Sequence, residues 1–67
     1  MKPTEQKVIK AIEKVEQRTS TSFSYHTDDN GNVTDIFCWN APGLKIHGPF
    51  STESQASIVS RLTSLLR

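Results

Sequence analysis

Hydrophobic positions along this chain follow a helical period, then an alternating one, then a helical period again. In "TEQKVIKAIEKVEQRT", residues 4–19, Val8, Ala11, Ile12 and Val15 recur at the spacing of one helix face. Pro3 before Thr4 marks the start, with Thr4 as the expected N-cap. "SFSYHT", "VTDIFCW" and "LKIH" alternate as strands do, separated by the turn-forming "DDNGN" and "NAPG". Pro42-Gly43 suits a type II turn, since proline presets the first corner and glycine accepts positive φ at the second. In the closing "STESQASIVSRLTSLLR", Ile58, Val59, Leu62, Leu65 and Leu66 share one side of a helix, with Ser54, Ser57, Ser60, Arg61 and Ser64 on the other. Thr52 with Gln55 fits a capping box, and Ser51 is an equally good cap. The predicted class is α+β: a two-layer αβββα domain, a three-stranded antiparallel meander with both helices packed on one face.

The facing of the aromatic residues depends on the loop at "DDNGN". A two-residue Asn30-Gly31 turn sets Phe23 opposite Cys38 and Tyr25 opposite Ile36, leaving Phe37 and Trp39 on the outer face with Ser22, Ser24, His26 and Asp35. A three-residue loop, Asp29-Asn30-Gly31 with a left-handed Gly31, sets Phe23 opposite Phe37 and turns the large aromatics inward. One residue of slip exchanges the faces. Aromatic side chains carry the most apolar area, so burial favours the second register. Leu44 and Ile46 are expected inside, Lys45 and His47 outside.

Sixty-seven residues suit a single domain over 1–67, near the size at which one core barely offsets chain entropy. A net charge of +1 argues against a strongly basic tail or an acidic nucleic-acid mimic. The lone cysteine forms no internal disulfide, and one Cys with two His makes no zinc cluster. With no apolar leader and no long apolar run, the chain reads as cytoplasmic, away from membranes. No cofactor motif is present; Gly31 and Gly43 read as turn glycines.

Two surfaces are candidates for binding. In the first register the open sheet face carries Phe37, Trp39, His26, Lys45 and His47, a mixture suited to a protein hot spot, a homodimer or base stacking. The second surface is a stripe of Lys7, Lys10, Lys14 and Arg18 along the first helix, with Glu5, Glu13 and Glu16 on its other flank. Such a ridge could follow a phosphate backbone or an acidic protein surface, or simply be a solvated face.

The helix, three strands, helix order is similar to that of double-stranded-RNA-binding domains and of the HicA-type toxins that cleave messenger RNA. The first family opens its last helix with a lysine cluster, where this chain reads "STESQ" with Glu53. The second places its catalytic histidine in a Gly-Ser-His context, whereas His26 stands in "FSYHT". "LKIHGPFSTESQA" resembles the Gly-Pro-Phe strand-to-helix passage of the SPOR peptidoglycan-binding fold, without the strand–helix pattern that precedes it there. These departures leave the chain unassigned.

Chemistry has little footing. Ser24, His26 and Asp35 could share a face, but residues two apart on a strand project in parallel about 7 Å from one another. A His26–His47 acid–base pair is the remaining catalytic arrangement. Cys38 reads as a small buried hydrophobe. The expected function is a non-enzymatic binding protein, a regulator or inhibitor acting through a protein partner; the alternative is a nucleic-acid module using the basic stripe.

Overall fold

The computed structural model describes residues 3–66, with Pro42 as backbone only. Helix α1 spans Pro3–Thr19, strands β1, β2 and β3 span Phe23–Thr27, Val33–Cys38 and Ala41–His47, and helix α2 spans Gln55–Leu65. The strands form one antiparallel sheet in the order β1-β2-β3. Proline suits the first helical position, where its missing N–H would lack a partner anyway. Thr4, expected as the cap, therefore lies inside the first turn. At the far end Ser20 adopts φ 57° and donates its N–H to Glu16 O, which turns the chain out of the helix.

Both helices pack on one face of the sheet. Val8, Ala11, Ile12 and Val15 of α1 and Ile58, Val59 and Leu62 of α2 meet Phe23, Val33, Ile36 and Cys38. Tyr25, Ile46, Leu65 and Leu66 close the margins of this core. Phe50, 1% exposed and the largest of the fully buried side chains, enters it from the β3–α2 loop after a cis Gly48–Pro49 peptide. Gly48 leaves room there: a Cβ would stand 3.1 Å from both the Phe50 ring and the Val33 carbonyl oxygen, so one of them would have to shift.

The first hairpin corrects the expected facing. Its loop is the three-residue one: Asp28 N bonds Asn32 O, Gly31 N bonds Asp28 O, and Gly31 has φ 80°. The Asp28 carboxylate also accepts the Asn30 and Asn32 N–H groups. Yet Phe23 pairs with Cys38, Ser24 with Phe37, Tyr25 with Ile36 and His26 with Asp35, whereas Thr27 pairs with Val33. Thr34 is the extra residue of a β-bulge. It shifts the register by one and reverses the parity that the loop alone would impose. Val33, Ile36 and Cys38 therefore face the core, while Phe37 and Trp39 face outward.

The second hairpin differs as well. It turns at Trp39-Asn40, so that Cys38 pairs with Ala41, and Gly43 has no positive φ. Pairing then jumps to Phe37 opposite Lys45, leaving residues 42–44 without partners on β2. That excursion carries Leu44 off the core face to 43% exposure, against expectation, while Ile46 stays packed inside. In α2 the cap is Ser54, whose Oγ accepts the Ser57 N–H at 3.1 Å, in place of Ser51 or Thr52.

Candidate functional site on the open sheet face

The register sorts the outer face into rows. His26, Asp35 and His47 lie side by side across the three strands. The next row is Ser24, Phe37 and Lys45. Beyond it the hairpin end presents Trp39, 68% exposed, and Leu44. Trp39 is fixed through its backbone, its N–H donating to Ser22 O at 2.9 Å. It stands four positions beyond Asp35, about 13 Å at strand rise. No described residue of this face is buried.

Local contacts hold the polar row in place. His26 Nδ1 lies 3.0 Å from Asp35 Oδ2, and an ionised carboxylate makes that nitrogen the donor. The imidazole stacks on Phe37, with centroids 4.6 Å apart and planes 23° from parallel. Thr34 Oγ1 donates to Asp35 Oδ1 at 2.9 Å. Partial burial alone would push the Asp35 carboxyl up. The His26 and Thr34 hydrogen bonds, with the charges of His26 and Lys45, outweigh it and hold the carboxyl below its ordinary 3.8.

All five residues expected on this face, His26, Phe37, Trp39, Lys45 and His47, lie on it. Asp35 joins them as the anchor of His26. The dyad offers a histidine oriented by a carboxylate, but on an open surface rather than in a water-excluding cleft. Two concavities of the fold are lined by other residues. Cys38 is buried, with Sγ 3.1 Å from Asn40 Oδ1. Among the described residues no three His, Cys, Asp or Glu side chains gather as metal ligands, and no helix is long and apolar enough to cross a membrane.

The basic stripe is divided by the fold. Lys7 is engaged, donating from Nζ to the carbonyl oxygens of Glu53 and Ser51 ahead of α2. Lys10 is exposed, and Lys14 and Arg18 border a groove between α1 and α2. No family model, curated relative or solved structure matches the chain.

Proposed function

We propose that this chain is a cytoplasmic binding module, a small regulator or inhibitor that recognises a protein partner through its open sheet face. The carrying observation is the exposure of Trp39 at the end of the strand that carries Phe37, on a face that neither helix covers. Exposed apolar side chains grouped on one face mark interaction surfaces, and interface hot spots are enriched in tryptophan. Lys45 adds positive charge beside the aromatic patch and the carboxylate of the polar row, Asp35, is already engaged by His26, so the favoured partner surface is acidic. Recognition needs no bond making, which agrees with a histidine whose ring is flattened against Phe37 instead of aimed into a pocket.

The test compares the parent chain with Trp39→Ala and Phe37→Ala in quantitative capture from nuclease-treated host extract, followed by reconstitution with the purified captured protein. Removal of so exposed a side chain as Trp39 should change stability by no more than about 0.5 kcal/mol. Loss of a hot-spot anchor should weaken the reconstituted complex at least about thirtyfold. Emission and acrylamide quenching of Trp39, followed on dilution, separate a second copy from a foreign partner. Protection that disappears on dilution would assign the face to a homodimer. Capture that survives both substitutions would refute the reading.

A further inference from the structure

The groove between the helices has two unlike walls. On the α1 side stand Lys14 and Arg18, both exposed and without an ion pair among the described residues. The α2 side is Ala56, Ser60 and Ser64, exposed, uncharged and four residues apart, with Val59 between the walls. Three of the glutamates are committed elsewhere, and Glu13, exposed on the same helix, has no ion pair with either cation among the described residues. Glu5 accepts from the Tyr25 hydroxyl, Glu16 from the Phe23 N–H, and Glu53 from Arg61. The helices run in the same direction, because Lys7 meets residues 51 and 53 while Lys14 and Arg18 lie beside residues 55–64. The channel between them therefore follows two helix axes.

From this geometry we infer that the groove is a second docking site, seating an amphipathic helix of a partner protein with its acidic edge toward Lys14 and Arg18. Charge complementarity fixes one edge of the occupant and wall shape the other. Small side chains on α2 let a helix backbone approach closely, while the long cations reach across to its carboxylates. A phosphate backbone is matched less well, since it presents charge to both walls and the α2 wall carries no cation. The site lies on the opposite side of the molecule from the open sheet face, so both could be occupied together.

The probe is a synthetic peptide of about 18 residues, long enough to form a helix. Alanine and leucine occupy one face and glutamates the adjoining edge. The readout is amide chemical shifts of the isotope-labelled chain. The peptide should move the amides of Ala56, Val59, Ser60 and Ser64 and leave Trp39 emission unchanged. Lys14→Glu with Arg18→Glu should weaken it about tenfold or more. Ser60→Leu, which fills the uncharged wall, should weaken it comparably without touching a charge, and it serves alone if the double variant does not fold. The inference is overturned if millimolar peptide moves no groove amide, or if a scrambled peptide of equal composition binds as well. It is also overturned if an RNA or DNA oligonucleotide occupies the groove more tightly, with a steep salt dependence.

Discussion

The Tyr25 hydroxyl donates to Glu5 Oε2 at 2.7 Å and ties the first strand to the first helix. That bond, then burial, then the Glu5 charge all oppose loss of the phenolic proton and raise the Tyr25 pKa above its ordinary 10.0. The folded chain thus holds this proton more tightly than the unfolded one. The stability so gained is full below 10.0 and is lost as pH rises through the raised value. Asp35 behaves oppositely, because its lowered pKa gives stability above 3.8 that disappears as pH falls through the folded value. Tyr25 is the only tyrosine in the chain, so tyrosinate absorbance reports it directly. Its midpoint should lie above 10.0 in the parent and move back toward it in Glu5→Gln. An unmoved midpoint would show that the Glu5 contact does not govern the titration. At this scale the sequence was only partly readable. The helix stripes named their buried residues correctly, but Phe50 stands between Pro49 and Ser51 in a segment without period, and no pattern marks it as core.

At the scale of elements, one residue decided what the sheet presents to solvent. The Asp-x-Asn-Gly signal correctly points to a three-residue loop, and that loop alone would bury the aromatics. Thr34 overrides it, being held by contacts outside the loop: its Oγ1 donates to Asp35 Oδ1, with His26 O as the longer alternative acceptor at 3.3 Å, and its carbonyl accepts the Gly48 N–H at 2.8 Å. None of these partners lies within the hairpin loop, so local turn chemistry could not reveal the bulge. The hydrophobic pattern did contain a trace, because Val33 and Ile36 are three apart and can share a face only if the alternation breaks between them. The same reasoning gives a prediction. Deleting Thr34 leaves Val33, Asp35, Ile36, Phe37 and Cys38 in unbroken alternation, with the same residues inward. The deleted chain should fold with Trp39 still exposed, less stable by about 1–2 kcal/mol for the lost hydrogen bonds. Red-shifted, readily quenched emission from Trp39 would agree with this. A blue shift would refute this account, because without Thr34 the three-residue loop and the core pattern prescribe the same outward Trp39.

Across the whole molecule, the sheet is guarded at both edges and open on one face. β1 is an edge strand, and its outward Phe23 N–H is taken by Glu16 Oε2 of α1 at 3.0 Å. β3 is the other edge, and its His47 carbonyl accepts from Arg61 Nη2 of α2 at 3.0 Å. Arg61 is itself held by Glu53 and lies over the Phe50 ring, 5.6 Å from its centroid. Each helix thus supplies one charged side chain that occupies a ladder position a foreign strand would need, a recognised means of preventing edge-to-edge association. The arrangement favours side-chain recognition on the open face over strand addition at the rim. It also predicts what happens when a guard is removed. Glu16→Ala frees the Phe23 N–H and should make sedimentation rise with concentration more steeply than in the parent. Glu16→Gln retains an acceptor oxygen and should match the parent. Equal behaviour of the two variants would assign Glu16 to solubility through its charge, because only the alanine variant opens the edge.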